Sequence, residues 1–185
     1  MALRQILTEP NKILREKSLK VNQVDEDLQK LMDDMLETMY AAPGIGLAAI
    51  QVGVPKRVIV LDIGWRDKPE GKNEEKQKER KNPMYFVNIE IITKSANNST
   101  YEEGCLSVPG QFAEIERPDK CHIKYLDYYG QPKELVAEGI LATCIQHEMD
   151  HLEGILFIDY LSKLKKSMIV KKLLKQKEQL DRIVI

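Results

Sequence analysis

Apolar side chains recur along this chain with two different periods, and the switches between them predict its elements. Over residues 25–40 they fall at Leu28, Leu31, Met32, Met35, Leu36 and Met39, which share one face of a helix, and Asp25, Glu26 and Asp27 set negative charge against the positive end of its dipole. Over residues 140–152 a second helical pattern gathers Ile140, Cys144, His147 and His151 in one sector, with Leu141, Ile145, Glu148 and Leu152 beside it. Thr143, Gln146, Asp150 and Glu153 then lie mostly on the other side, and Gly154 is suited to end the helix. Residues 161–185 read as a basic amphipathic helix with Leu164, Met168, Leu173 and Leu180 among its apolar positions.

Shorter runs rich in β-branched and aromatic residues predict strands at 57–63, 85–93, 121–127 and 134–137, with Tyr129 and Gly130 in the turn between the last two. The pattern is α+β with an antiparallel sheet. Between the first two strands, residues 64–82 mix charges of both signs around a single internal apolar residue, Trp65, and are expected to form a surface loop.

Composition narrows the picture without redirecting it. A chain of 185 residues suffices for one domain with a core, expected over 1–185. With a formal net charge of -1 and no long apolar run, neither direct DNA binding nor membrane association is expected, and the protein is expected to work in the cytoplasm. The lysines of the last helix are read first as a solvated face and second as a contact for the ribosome. Three cysteines, an odd number, argue against a disulfide framework and leave a thiolate available as a ligand.

The polar exceptions within apolar surroundings carry the candidate chemistry. His147 and His151 are one helical turn apart, so both imidazoles project from one side, and Glu148 lies close enough to take a proton from a water held between them. The bare HExxH pattern also arises by chance on charged helices, but here it sits in an apolar sector where an idle imidazole or carboxylate would cost several kcal/mol, roughly. Two histidines do not complete a site. Cys105, bracketed by Gly104 in a glycine- and proline-bounded turn at residues 102–110, is the remaining candidate ligand. Gln51 is the single polar side chain in GLAAIQVGV; it either makes a structural hydrogen bond or points an amide donor at a developing oxyanion. Gly44, Gly46 and Ala49 imitate a dinucleotide fingerprint with Asp62 as its acid, but a helix precedes them where a strand is required.

Taken together, GIGLAAIQ at 44–51, EGCLS at 103–107 and QHEMDHLEG at 146–154 resemble, in order and spacing, the three signature motifs of the peptide deformylase family. The resemblance runs from the PNKILR segment at Pro10 to the last helix and implies antiparallel sheets packed around a central, metal-binding HExxH helix. It further implies removal of the formyl group from the N-terminal formylmethionine of nascent peptides. By motif position Cys105, His147 and His151 bind one divalent metal ion, natively Fe²⁺ with Zn²⁺, Ni²⁺ or Co²⁺ as alternatives. Glu148 is the general base and acid, and Gln51 with the Leu106 backbone N–H stabilises the oxyanion. Gly44, Ile45, Gly46, Gly104, Ile140, Thr143 and Cys144 are expected to bind substrate, walling a slot for an unbranched thioether side chain and letting its backbone run alongside as a strand. An Arg117–Asp150 pair is expected to steady the metal helix. A zinc endopeptidase and a non-catalytic metal-stabilised module are the competing readings; the first usually draws its third ligand from downstream, where nothing after His151 continues as GxxH, and the second has no need of Glu148.

Overall fold

The computed structural model describes residues 2–64 and 81–183. Most of the expected charged loop, residues 65–80, lies outside them. Helix α1 (Glu26–Ala41) begins where Asp25 accepts a hydrogen bond from the Leu28 N–H, so the acidic start read from the sequence includes its N-cap. Strands β1 (Gly46–Ala48), β2 (Val58–Leu61) and β3 (Met84–Lys94) follow, then β4 (Asn98–Cys105), β5 (Val108–Pro118), β6 (Lys120–Leu126) and β7 (Pro132–Glu138). Helix α2 (Gly139–Leu152) carries the two histidines of the HExxH sequence, and α3 (Lys163–Ile183) closes the chain.

All pairings between these strands are antiparallel, in a five-stranded sheet of order β1-β2-β3-β6-β7 and a separate two-stranded sheet, β4-β5. Every residue of β2 is buried. Ile59 and Leu61 pack with Ile145 and Leu152 of α2, while Val58 and Val60 pack with Met32, Met35 and Met39 of α1. A strand covered on both faces loses the apolar-polar alternation of a half-exposed one. Helix α2 touches β1, β2, β6 and β7 on one side and the β4-β5 hairpin on the other. Val108 and Ile115 of the hairpin form a third core with Leu156, Phe157, Ile158 and Leu173.

Several expectations change here. The turn expected at 102–110 is narrower: Cys105 ends β4, only Leu106 and Ser107 separate the strands, and the hairpin around them is an element the apolar pattern did not predict. Thr143 and Gln146, expected on the outer side of α2, are buried because the helix is enclosed by sheet and hairpin; the Gln146 amide donates to the carbonyls of Pro118 and Ala142. Ile140, expected on the buried sector, is partly exposed at the start of α2. Leu164 and Met168, read as apolar-face positions of α3, are exposed, whereas Leu173 is buried. Asp62 is no nucleotide ligand: it is fully buried, accepting from the Tyr40 hydroxyl at 2.6 Å and from the backbone N–H groups of Gly64 and Asn82. No helix among the described residues is long and apolar enough to cross a membrane.

Candidate functional site

Three short stretches meet at the inner face of α2. Helix α2 ends in a Schellman motif: the Ile155 N–H reaches the Asp150 carbonyl and the Gly154 N–H that of His151, with Gly154 at φ +74°. A Cβ on Gly154 would stand 2.5 Å from the Arg15 carbonyl oxygen, so only glycine lets the N-terminal segment pass beneath the helix end. The helix is thus fixed with His147 and His151 facing the hairpin. Their rings stand edge to face, centroids 5.1 Å apart.

Cys105 arrives at the end of β4. Its Sγ lies 3.2 Å from His151 Nε2, and the ligating atoms of Cys105, His147 and His151 all fall within 4.8 Å of one another. Burial, with His147 next, holds the His151 imidazole well below its ordinary pKa, in the neutral form that can donate a lone pair to a cation. His147 Nδ1 sits 2.7 Å from Glu103 Oε2, which leaves Nε2 as the atom it could offer a cation. One thiol and two imidazoles converging in this way fit a divalent cation with an open position.

Around the donors stands a polar shell. Glu103 and Arg117 are both buried and joined at Nε–Oε1 2.5 Å and Nη2–Oε2 3.0 Å. Arg117 Nη1 also reaches Asp150 Oδ2 at 2.7 Å, so the expected Arg117–Asp150 contact is present. Burial alone would raise the Glu103 carboxyl, but hydrogen bonds from His147 and Arg117 hold it below its usual range. Glu103 was missed as a site residue although two positions along a strand share a face, so a strand at 98–105 would have aligned it with Cys105.

Glu148 and Gln51 complete the inner surface. Burial, offset in part by His147, pushes the Glu148 carboxyl up to about 7. Gln51 sits in a 3₁₀ turn (Ala49–Val52) where its Oε1 accepts from the Ala48 N–H at 2.8 Å. That bond fixes the amide so that Nε2 faces Ser107 Oγ at 3.1 Å and Cys105 Sγ at 3.5 Å. The structural role read for Gln51 is therefore real, and it aims the donor end toward the thiol.

A cavity of about 540 Å³ opens onto these groups. Gly44, Ile45, Gly46, Gln51, Gly104, Cys105, Leu106, Ile140, Thr143, Cys144, His147 and Glu148, all singled out from the sequence, line it. His151 is buried behind them. Pro109, Gly110, Gln111 and Phe112 of β5 and Tyr101 of β4 extend the lining beyond what the sequence pointed to.

The family described as polypeptide deformylase matches residues 3–167. The chain is 60% identical to the peptide deformylase of Pelagibacter ubique over 185 residues, 100% of both chains, and 58% identical to that of Maricaulis maris over 98% of each. Among solved structures it is similar to the peptide deformylase of Ehrlichia chaffeensis, with a TM-score of 0.86 and 43% identity over 97% of this chain and 99% of that one. With motifs, fold and cavity in agreement, the chain belongs to the polypeptide deformylase family and is an enzyme that removes N-terminal formyl groups.

Proposed function

We propose that this enzyme hydrolyses the formyl group of formylmethionine on newly made polypeptides, with one divalent cation held by Cys105, His147 and His151. The observation that carries the reading is the convergence of the Cys105 thiol with the His147 and His151 imidazoles beside a cavity that Cys105, His147, Glu148 and Gln51 line. A thiolate with two imidazoles suits Fe²⁺, Zn²⁺, Co²⁺ or Ni²⁺, of which Fe²⁺ is the native choice by family resemblance. When bound there, such an ion would supply a Lewis acid and lower the pKa of a water to about 7.

The chain's own residues do the rest. Glu148 accepts the proton of the attacking water and returns it to the departing amine. Gln51 Nε2 and the Leu106 N–H meet the oxyanion as the formyl carbon becomes tetrahedral. The methionine side chain enters between Ile45, Ile140, Cys144 and His147, with Thr143 at its edge. The peptide backbone lies as an added strand along the cavity that Gly44, Gly46 and Gly104 line.

The experiment is an anaerobic assay for formate from a formyl-Met peptide, with metal analysis of the same sample. Formate release in proportion to bound metal, abolished in Glu148→Ala, is expected. Cleavage of internal peptide bonds with the formyl group untouched would overturn the reading. The basic face of α3 is proposed as a contact for the ribosome in the cytoplasm, where substrate emerges. Cosedimentation with ribosomes that survives replacement of Lys165, Lys171 and Lys172 by glutamate would refute that part.

A further inference from the structure

The short 3₁₀ turn Phe157–Tyr160 that follows α2 is not part of the cavity, yet both of its ends touch the site's outer shell. The Phe157 ring stacks on His147, with centroids 6.3 Å apart and planes 24° from parallel. At the other end the Tyr160 hydroxyl donates to Asp150 Oδ2 at 2.8 Å, and its ring lies under the Arg117 guanidinium, 4.9 Å from Cζ. Tyr160 therefore contacts both members of the pair that meets at Asp150 Oδ2. Between them Phe157 and Ile158 are buried, and Asp159 accepts from Arg15, Lys166 and the Leu156 N–H, so the turn is braced from both directions.

We propose that Tyr160 is a positioning residue for the metal centre, acting on His147 through Arg117 and Glu103. Two carboxylates fix the guanidinium in its own plane, which leaves its faces to be held. The Tyr160 ring covers one face, and its hydroxyl keeps Asp150 turned toward Nη1. Glu103 owes its position to Arg117, and the His147 ring owes its orientation to Glu103. A cation held by His147 thus feels a side chain three contacts away, in the segment that leads into α3. The inference rests on the reading of His147 as a metal ligand.

The test follows Co²⁺ in the cobalt-loaded enzyme, by its visible absorption and by its rate of transfer to excess EDTA well below the unfolding temperature. Replacing the direct outer partners of metal ligands costs roughly 10- to 100-fold in affinity, and Tyr160 lies two contacts beyond Glu103, the direct partner of His147. Tyr160→Phe, which keeps the ring, should release Co²⁺ a few-fold faster, and Tyr160→Leu about tenfold faster, each with a shifted cobalt spectrum. A purely structural role for Tyr160 would lower the unfolding temperature and leave release rate and spectrum as they are, and that result overturns the inference. If Tyr160→Leu does not fold, the Phe variant decides. His147→Ala serves as the control: retention of the parental cobalt spectrum there would refute the ligand assignment itself, whereas loss of Co²⁺ in it with parental release in both Tyr160 variants refutes the inference alone.

Discussion

Glu148 rests against Gly46: a Cβ at position 46 would stand 2.4 Å from Glu148 Oε1 and 2.6 Å from Leu61 Cδ2. The glycine of edge strand β1 is therefore what admits the Glu148 carboxyl, the proposed general base of α2, to its place. Gly46→Ala should push the carboxyl aside by a fraction of a methyl diameter. Misplacement by about 1 Å costs on the order of 10²-fold in rate, so kcat should fall by that factor while bound metal stays at the parental level. Steady-state kinetics with metal analysis measures both, and parental kcat would mean the carboxyl is not seated there.

The raised pKa of Glu148 carries a stability signature of definite sign. A carboxyl at about 7 in the fold against 4.5 in the unfolded chain favours folding while protonated. That contribution is fully present below pH 4.5 and is lost as pH rises through about 7. In metal-stripped protein the loss should reach about 3 kcal/mol. Urea unfolding at pH 5 and pH 8 should show it in the parent and not in Glu148→Gln; equal pH dependence in the two proteins would contradict the assignment.

For Gln51→Leu the expectation is kinetic. An oxyanion donor acts on the transition state, so kcat should drop by about 10²- to 10³-fold with a small change in KM. Because Oε1 also holds the Ala48 N–H, a thermal melt must accompany the kinetics. A fall in melting temperature without a fall in kcat would confine Gln51 to its structural role.

Arg117→Ala removes the guanidinium that pairs with the buried Glu103 carboxylate. A buried carboxylate that loses its partner costs about 3 to 5 kcal/mol, and metal retention should weaken by about 10- to 100-fold. Denaturant unfolding and metal content after dialysis report the two effects separately. Unchanged metal content would confine the pair to a structural role.

How much of this was legible depends on which faces of an element are covered. Helix α1 buries one stripe, and its period could be read directly. Helix α2 has a legible period too, but enclosure by sheet and hairpin buries Thr143 and Gln146 as well, and one-sided projection cannot anticipate a helix wrapped on several sides. The β4-β5 hairpin was illegible because Tyr101, Glu102, Glu103, Glu114 and Glu116 give its strands little apolar alternation, and Pro109 and Gly110 imitate a loop. With that hairpin unseen, Glu103 had no strand to place it beside Cys105. The candidate ligands Cys105, His147 and His151 were legible because three motifs, each weak alone, appear in one order.

Among the described residues the hairpin shares no strand pairing with the larger sheet, and an isolated two-stranded ribbon is marginal in water. Its Cys105 faces two imidazoles, His147 and His151, that follow more than forty residues later, so an ion held between them as proposed would act as a tether as well as a reagent. Loading and anchorage of the ribbon then form one equilibrium, and stripping the ion should speed amide hydrogen exchange along β4 and β5 before it does so in β2 or β3.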